Sequence, residues 1–304
     1  MCHHARMQNF AGKIAVITGG ASGMGRELVR QLAAEGCHIA MCDLSVEEME
    51  DSRTQALSVA PDGTVITTHI CDVSDEASIL AFRDAVVAQH QTDHINLLFN
   101  NAGLSGGGSL FTETRESWDR CFAVCWGGVY YGVRAFLPLL AASDEGYIVN
   151  TSSVNGFWAS LGPERPHTAY SAAKFAVKGF SEALITDLRV NAPHVKVAVV
   201  MPGHIGTSIV ETSMRHGANE FDMETTELMK QASDLFRDTA PMSAAEASAV
   251  ILAGVRNDKW RILVGDDAVS LDEAVRADPE AAYDTITLGA LTSDTGDSPF
   301  DSLE

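Results

Sequence analysis

Short apolar runs rich in branched residues recur along the chain, and segments of helix length separate them. Six runs end at Thr18, Asp43, Val73, Gly103, Val154 and Gly203, and a shorter one, RILVG, follows Trp260. Such runs are typical of strands buried on both faces, and their alternation with helices indicates a parallel sheet. The pattern predicts an α/β fold with a doubly wound, seven-stranded parallel sheet, helices on both faces and ligands at the carboxyl ends of the strands.

The series of strands runs on without a linker or an internal repeat, so we predict one domain over residues 7–265. The segment of about 208–241, which follows the sixth strand, is rich in charged and polar residues. We predict a helical pair that forms a lid over the site, with a plain surface excursion as the alternative. Residues 266–304 are predicted to be a C-terminal extension that is first helical and then acidic and mobile.

The net charge of the chain limits the classes of partner that we expect it to bind. The formal net charge is −20, with 41 acidic against 21 basic residues. A surface of this sign repels phosphate backbones and anionic membranes, so we expect neither nucleic acid nor a membrane as a partner. There is no apolar run of about 18 residues and no apolar stretch of a secretory signal near the start, and we expect a cytoplasmic protein that acts on a small molecule.

The six cysteines predict no metal site. They are scattered without a CxxC pair or a nearby histidine spacing that would complete a zinc site. We interpret them as reduced, mostly buried thiols. His3 and His4 are adjacent on a terminus, where solvated side chains are the expected state.

The glycines after the first run predict a cradle for a dinucleotide. Gly19, Gly23 and Gly25 let the backbone turn sharply and approach a pyrophosphate, which the amino end of the next helix stabilises. Such turns are common on their own, but here a strand precedes and an apolar helical pattern follows. Asp43 ends the second run, where its carboxylate can accept hydrogen bonds from both hydroxyls of the adenosine ribose. The same charge repels a 2'-phosphate, no basic residue lies in the turn and Leu44 follows, so NAD is preferred over NADP; the alternative is that Asp43 is a turn residue.

Two further strand ends carry candidate cofactor contacts. Asp72 and Val73 close the third run and are placed to meet the adenine amino group and ring face. The sequence from Asn100 to Gly103 closes the fourth run with small residues that allow close approach to the ribose. Their shared position at strand ends supports the assignment.

A tyrosine and a lysine four positions apart are the candidate reactive group. Tyr170 and Lys174 lie on one face of a predicted helix, so the ammonium lowers the pKa of the phenol through space. Ser153, beyond the fifth strand, is placed to hold the substrate oxygen while Tyr170 takes or gives its proton. The carbon hydrogen then leaves as hydride to a nicotinamide.

Each of these signals has another interpretation when taken alone. Tyr-x-x-x-Lys pairs are common on helix surfaces, and Ser153 is also a suitable helix cap. A serine hydrolase is a third possibility, but Ser152 and Ser153 lack the glycine-flanked elbow and no histidine is marked by its spacing as the base.

Together the motifs resemble the short-chain dehydrogenase/reductase family. The matches are TGxxxGxG at 18–25, NNAG at 100–103, Ser153, YxxxK at 170–174 and PGxxxT at 202–207, and similarity extends over roughly 10–265. The resemblance implies a single-domain Rossmann fold and an NAD-dependent alcohol dehydrogenase or ketoreductase. It also implies that Lys174 binds the nicotinamide ribose and that Ile205 and Thr207 hold the carboxamide. The predicted cofactor-binding residues are Gly19, Ser22, Gly23, Met24, Gly25, Asp43, Leu44, Asp72, Val73, Asn100, Ala102, Gly103, Tyr170, Lys174, Pro202, Gly203, Ile205 and Thr207.

The chain departs from the family pattern at two places. Cys125 stands where the family usually has an asparagine that holds a water of a proton relay, and a thiol is a weaker hydrogen-bond partner. The relay is then rerouted, slowed or absent, and we interpret the Cys125 side chain as a buried small residue. Seventeen positions separate Ser153 from Tyr170, more than is usual, so the loop 155–167 is expected to form a wall of the substrate pocket.

The predicted substrate pocket consists of Ser153, Asn155, Trp158 and His204. Phe157, Trp158 and Leu161 favour an apolar secondary alcohol or ketone of moderate size. The resemblance implies a homo-oligomer, tetramer or dimer, built through long helices beside the catalytic one. Two other functions stay open: a non-catalytic NAD-binding sensor or assembly protein, and another reaction on the same fold such as epimerisation.

Overall fold

The computed structural model describes residues 7–217 and 223–286, and its centre is one parallel sheet. The strands are β1 (Ile14–Thr18), β2 (His38–Asp43), β3 (Ile66–Ile70), β4 (Leu97–Asn100), β5 (Gly146–Thr151), β6 (Val195–Pro202), β7 (Ile205–Gly206), β8 (Met242–Ser243) and β9 (Arg261–Val264). Seven of them form a sheet in the order β3-β2-β1-β4-β5-β6-β9. This confirms the predicted α/β fold with a seven-stranded parallel sheet, whereas the small β7–β8 pair was not predicted.

Helices connect the strands and cover both faces of the sheet. They are α1 (Gly23–Ala34), α2 (Val46–Leu57), α3 (Glu76–His90), α4 (Arg115–Phe122), α5 (Gly128–Ala141), α6 (Thr168–Asn191), α7 (Ile209–His216), α8 (Met223–Asp238), α9 (Ala244–Arg256), α10 (Asp266–Ala277) and α11 (Ala282–Thr285). The predicted lid segment thus contains α7 and α8, although residues 218–222 lie outside the described part. The predicted mobile tail from 287 onward and the histidines at positions 3 and 4 also lie outside it.

Two hydrophobic clusters occupy the two faces of the sheet. One joins the inner sides of α1 and α9 to β1, and the other joins α3, α5 and α6 to the opposite face. Every residue of β1, β4 and β5 is buried, which explains why these strands read as continuous apolar runs instead of alternating ones. The strand order reverses next to β1, whose neighbours are β2 and β4, so a crevice forms at this point along the carboxyl edge.

A long, nearly continuous helix packs beside the site. It runs from Arg115 to Ala141 as α4, a π-helical segment Ala123–Gly127 and α5. By length and composition this is the one helix in the described residues that would suffice to cross a membrane, but 56% of its most apolar window is buried inside the fold. The core helix of a soluble protein has the same character.

Candidate active site

The turn after β1 requires glycine for two physical reasons. Gly19 and Gly23 have φ of 69° and 53°, in the left-handed region that favours glycine. A Cβ at Gly19 would lie 2.9 Å from the Ala102 Cα, and one at Gly25 would lie 1.9 Å from the Gly19 carbonyl oxygen. Gly25 therefore packs against the backbone of the turn and does not line the cavity.

The loop after β4 is fastened to this turn. The Thr18 hydroxyl oxygen accepts hydrogen bonds from the Asn101 and Ala102 amides at 3.0 and 3.1 Å, and Asn101 Nδ2 donates to the Thr18 carbonyl at 3.2 Å. Asn100, which we expected to contact the cofactor, is instead buried behind the loop and donates from Nδ2 to Asn150 Oδ1 at 2.8 Å. The side chain of this last residue of β4 points into the helix layer, whereas the neighbouring Asn101 lines the cavity.

Asp43 lies at the end of β2 with its carboxylate fixed by backbone donors. Oδ2 accepts a hydrogen bond from the Ala21 amide at 3.1 Å, and Oδ1 accepts one from the Leu44 amide at 2.7 Å. The nearest basic group from the lid segment is Arg215, whose Nη1 is 2.8 Å from Glu48 Oε1. The hydrogen bond to Glu48 and the charges of Glu48, Glu211 and Asp43 raise the pKa of Arg215.

Asp72 is held by an arginine that the sequence analysis missed. Arg120 Nη1 lies 3.2 and 2.9 Å from the two carboxylate oxygens of Asp72 and 2.5 Å from Ser74 Oγ. Burial raises the pKa of Asp72, but the hydrogen bonds from Ser74 and Arg120 outweigh it and the net shift is downward. Arg120 Nε also donates to the His216 carbonyl at 3.4 Å, which ties the end of α7 to this edge of the sheet.

The segment after β6 forms the opposite side of the crevice. The Gly203 amide donates to the Val264 carbonyl at 2.9 Å, and the His204 amide donates to Asp267 Oδ2 at 2.6 Å. A Cβ at Gly203 would meet Asp267 at 2.1 Å, so glycine is required there too. Thr207 of this segment lies close to the glycine turn, because a Cβ at Gly23 would be 3.2 Å from the Thr207 Cγ2.

These elements enclose one cavity of about 710 Å³ at the carboxyl edge of the sheet. The predicted cofactor-binding residues line it, except for Gly25 and Asn100. Ser153, Tyr170 and Lys174 lie in the same cavity. The structure therefore brings the glycine turn, the strand-end carboxylates and the candidate reactive group into one space.

Tyr170 and Lys174 lie on α6, and Ser153 follows β5. Lys174 is only 2% exposed, its Nζ donates to the Thr151 carbonyl at 2.9 Å, and Nζ is 5.3 Å from the centroid of the Tyr170 ring. Ser152 Oγ donates to the Lys174 carbonyl at 2.8 Å and fixes the helix against the strand. The lysine side chain is thus held in one place by the end of β5.

The surroundings of Tyr170 change the pKa of its phenol in two opposite directions. Burial raises its pKa above the usual value near 10, and the charge of Cys125 adds to this, whereas hydrogen bonding to Ser153 lowers it. A phenol that exchanges protons near neutral pH at this position needs positive charge beside the phenolate. Lys174 places a cationic group over the Tyr170 ring, with Nζ 5.3 Å from the ring centroid.

Cys125 is fully buried in the π-helical segment. Its Sγ donates to the Leu104 carbonyl at 3.2 Å and accepts from the Leu104 amide at 3.4 Å, which joins the helix to the loop after β4. Hydrogen bonding to Cys121 lowers the pKa of the Cys125 thiol, and Lys174 and the Leu104 amide act in the same direction against burial. The five cysteines in the described residues are all free and buried.

The predicted substrate-pocket residues fall into two groups. Ser153, Asn155 and His204 line the cavity. Asn155 supports the wall, since its Nδ2 donates to the carbonyls of Trp158 and Ser160 at 3.0 and 2.6 Å. Trp158 lies outside this lining: its ring is 0% exposed, packs against α10 and α11 and donates from Nε1 to the Ala282 carbonyl at 3.0 Å.

Other cavity residues were missed from the sequence. They share positions in the loop before α6 and in the lid segment: Glu164, Arg165, Pro166, His167, Ser208, Ile209, Val210, Thr212, His216 and Phe236. The long spacing between Ser153 and Tyr170 pointed to the loop as a wall, and of its other residues that line the cavity the sequence singled out Leu161. His204 Nε2 lies 2.6 Å from the Phe236 carbonyl, so the lid segment is bonded to the segment after β6.

Comparison with known proteins agrees with this geometry. Residues 13–217 match the family model described as short chain dehydrogenase. A Mycobacterium tuberculosis protein named SadH is 36% identical over 270 residues, covering 89% of this chain and 92% of that protein. Levodione reductase of Leifsonia aquatica is 34% identical over 212 residues, covering 68% of this chain and 74% of the enzyme.

Solved structures with the same fold contain either nicotinamide cofactor. A short chain dehydrogenase/reductase from Burkholderia phymatum in complex with NAD has a TM-score of 0.79 at 25% identity, covering 91% of this chain and 98% of that one. A metagenomic short-chain oxidoreductase in complex with NADP has a TM-score of 0.56 at 28% identity, covering 75% and 92%. The neighbours therefore support a nicotinamide cofactor without selecting between the two.

His167, a buried histidine in the cavity wall, predicts that the free energy of unfolding decreases in acid. Burial lowers the pKa of His167 to about 4, against about 6.5 for an unfolded imidazole. Between these values the unfolded chain binds a proton that the folded chain does not, so stability falls as the pH decreases through this range. Between about pH 8 and about pH 5 we expect this group to remove about 2 kcal/mol from the free energy of unfolding.

Urea unfolding of wild type and His167→Phe at both pH values measures the effect. The variant should lose about 2 kcal/mol less stability than wild type on acidification. His94→Phe makes the same substitution at a side chain that is 40% exposed and is the control for the substitution itself. An equal loss in wild type and His167→Phe would contradict the prediction.

Proposed function

The chain belongs to the short chain dehydrogenase family, and on that premise we propose that it transfers a hydride between NAD and a secondary alcohol or ketone. The observation that carries this proposal is that Ser153, Tyr170 and Lys174 line the same cavity as the glycine turn. Family membership makes it an oxidoreductase; the cofactor preference and substrate class are our proposal.

The residues present fit a dinucleotide. The glycine turn leaves a cradle that a Cβ at Gly23 would obstruct against Thr207, and Asp43 lies at the edge of the same cavity with both oxygens already oriented by amides. The turn would hold the pyrophosphate, Asp43 the adenosine ribose and Lys174 the nicotinamide ribose. When bound, the nicotinamide supplies or accepts the hydride.

The protein's own part in the reaction is a proton transfer. In oxidation, Ser153 orients the substrate hydroxyl and Tyr170 accepts its proton; in reduction, Tyr170 donates the proton to the carbonyl oxygen. Because burial raises the phenol pKa, the reaction depends on the fixed ammonium of Lys174 to stabilise the phenolate. Ser153 lowers the same pKa by hydrogen bonding and thus contributes to both orientation and proton affinity.

The pocket beyond the reactive group favours a moderately sized, mostly apolar substrate. Leu104, Val154, Leu161, Val210 and Phe236 line it beside Tyr170 and Ser153. The name of the relative levodione reductase supports a carbonyl compound as the substrate. The negative charge of the chain, −20, argues against strongly anionic substrates.

We propose that α7 and α8 act as the lid of this pocket. The helix α7 has no fully buried residue, although Ile209 and Val210 are half-buried and line the cavity. Ser213 Oγ accepts a hydrogen bond from the Ser105 amide at 2.7 Å, and Arg215 pairs with Glu48. Weak attachment of this kind suits a segment that opens to admit cofactor and substrate.

We also propose NAD as the preferred cofactor, on account of Asp43. Arg26 is the basic residue next to the glycine turn, but its guanidinium donates to the Ala21 carbonyl and to Ser52 Oγ at 2.6–2.9 Å. Arg215 is paired with Glu48. A 2'-phosphate would therefore meet an uncompensated carboxylate.

An aromatic surface supports the proposal of a homo-oligomer. Trp126 packs against Tyr130 and Phe180 with ring centroids 5.8 and 5.4 Å apart, and Tyr130 and Phe175 are 36% and 41% exposed. Contiguous exposed aromatic residues mark protein interfaces. We propose that a second copy of the chain covers this face of α5 and α6.

We also propose that the protein acts in the cytoplasm.

The first prediction concerns the phenol. Tyr170→Phe should lower turnover of a secondary alcohol by about 100-fold to 10,000-fold, the usual effect of losing a general acid or base, while cofactor affinity is retained. NADH absorbance and cofactor fluorescence measure the two quantities. Tyr147→Phe is the matched control, since the Tyr147 hydroxyl donates to the Lys259 carbonyl outside the cavity.

Three outcomes separate the competing functions. Undiminished turnover in Tyr170→Phe would refute the proposed role of the phenol. Tight NAD binding without turnover across a broad panel of alcohols and ketones would favour the non-catalytic sensor. Product formation without net NADH would favour epimerisation.

The second prediction concerns cofactor choice. Wild type should have a higher kcat/KM with NAD than with NADP, and Asp43→Asn should shift the ratio toward NADP by about tenfold or more, because about 1.4 kcal/mol of charge repulsion corresponds to that factor. Asp84→Asn, an exposed carboxylate on α3 paired with Arg83, should leave the ratio unchanged. A wild-type preference for NADP would overturn the assignment.

The third prediction concerns assembly. Light scattering should give a mass that is a multiple of the single chain's, and Tyr130→Glu should shift it toward the single chain by placing a charge in the aromatic face. Phe111→Glu is the control, because Phe111 is fully exposed in the loop before α4. A single-chain mass for wild type at micromolar concentration would contradict the proposal.

A further inference from the structure

His167 is a polar side chain in the cavity wall that lies against the reactive phenol. It is 7% exposed, it lines the cavity, and its ring stacks on that of Tyr170 with centroids 4.7 Å apart and planes inclined by 17°. It directly precedes α6 but its side chain does not cap the helix. Neither the stacking on Tyr170 nor the position before α6 requires a polar side chain here.

The imidazole has no hydrogen-bond partner within the described part of the chain. Nδ1 is among the buried side-chain atoms that lack a partner, whereas Nε2 is not among them, and the residue lines the cavity. We therefore take Nε2 to be the nitrogen that faces the cavity. Burial is the single cause of the lowered pKa, with no contribution from a hydrogen bond or a charge. The ring is therefore neutral and carries one N–H at neutral pH.

The burial of Nδ1 decides which nitrogen carries the proton. An unpaired buried N–H is rarer and more costly than an unpaired acceptor. The favoured tautomer therefore leaves Nδ1 unprotonated and places the N–H on Nε2. A hydrogen-bond donor then faces the substrate space beside the phenol.

His204, a second buried histidine of the cavity, has a hydrogen-bond partner. Its Nε2 lies 2.6 Å from the Phe236 carbonyl and its ring packs on Phe236, with centroids 4.2 Å apart. Leu161 and Val154 supply apolar surface in the same cavity. An unpartnered donor in such a wall is the arrangement by which a pocket selects a substrate oxygen.

We propose that His167 is a substrate-binding residue whose Nε2–H donates a hydrogen bond to a second oxygen of the substrate. The inference rests on the proposed hydride transfer and deepens it. It names the substrate class as compounds with a second hydroxyl or carbonyl close to the reacting carbon: diols, hydroxy ketones or diketones. Because the ring lies against Tyr170, the second oxygen is near the one that exchanges its proton with the phenol.

The experiment compares two alcohols that differ only in the second oxygen. The probes are cyclohexanol and the vicinal cyclohexanediol, oxidised with NAD by wild type, His167→Phe and His167→Asn. His167→Phe keeps an aromatic ring against Tyr170 and removes the donor, whereas His167→Asn keeps an N–H donor. The ratio of kcat/KM for the diol to that for cyclohexanol should fall by about tenfold in His167→Phe, as expected for one hydrogen bond of about 1.4 kcal/mol, and should recover in part in His167→Asn.

A control and a second readout keep the result specific. His94→Phe makes the same substitution at a half-exposed site and should not change the ratio. Nitrogen NMR of the histidine rings, with the His167 signal assigned from the His167→Phe spectrum, should show the Nε2–H tautomer. That signal should shift when the diol is added in the presence of NAD and should not shift with cyclohexanol.

The outcomes distinguish this inference from the proposed function. An equal decrease of kcat/KM for both alcohols in His167→Phe, an unchanged ratio, or an Nδ1–H tautomer would overturn the role of His167. Turnover of neither alcohol by wild type, together with the diol-specific NMR shift, would support the role of His167 while contradicting hydride transfer to this class. Turnover of neither alcohol without the shift would overturn both.

Discussion

A buried ammonium group is the constraint on which the site depends. Lys174 is almost fully excluded from solvent, and an isolated charge in such surroundings is costly unless it is hydrogen-bonded. Its bond to the Thr151 carbonyl, reinforced by the bond from Ser152 to its own carbonyl, fixes α6 against the end of β5. The same bonds hold the charge beside the Tyr170 ring. Packing of the helix and chemistry of the phenol therefore have one physical cause.

The topology of the sheet explains why the remaining residues meet this charge. The order of strands reverses at β1, so the helices that follow β1 and β4 cover opposite faces of the sheet and leave a crevice at its carboxyl edge. The glycine turn forms one side of it, and the segment after β6, held by Asp267, forms the other. Arg120 joins Asp72 to the end of α7, which connects the adenosine side of the crevice to the lid segment. The proposed cofactor site, the Tyr170 phenol and the proposed lid thus share one edge of one sheet.

The sequence allowed the sheet to be predicted, because buried parallel strands read as apolar runs, and it singled out many of the residues that line the cavity at the strand ends. It did not indicate the direction of individual side chains. Asn100 and Asn101 are adjacent, and strand geometry sends only the second toward the cavity. Trp158 follows Ser153 closely, but α10 and α11, more than a hundred positions later, cover its ring. His167 and Arg120 carry no spacing signal, and only the fold reveals that one stacks on Tyr170 and the other binds Asp72.

The central claim is that the fixed charge of Lys174 brings the Tyr170 phenol toward a working pKa against the effect of burial. The direct measurement is a spectroscopic titration of Tyr170 in the NAD-bound protein, assigned by subtraction of the Tyr170→Phe spectrum, in wild type and in Lys174→Met. The account predicts that the phenol pKa is lower in wild type than in Lys174→Met by about one unit or more, equivalent to about 1.4 kcal/mol. Equal pKa values in the two proteins would contradict it.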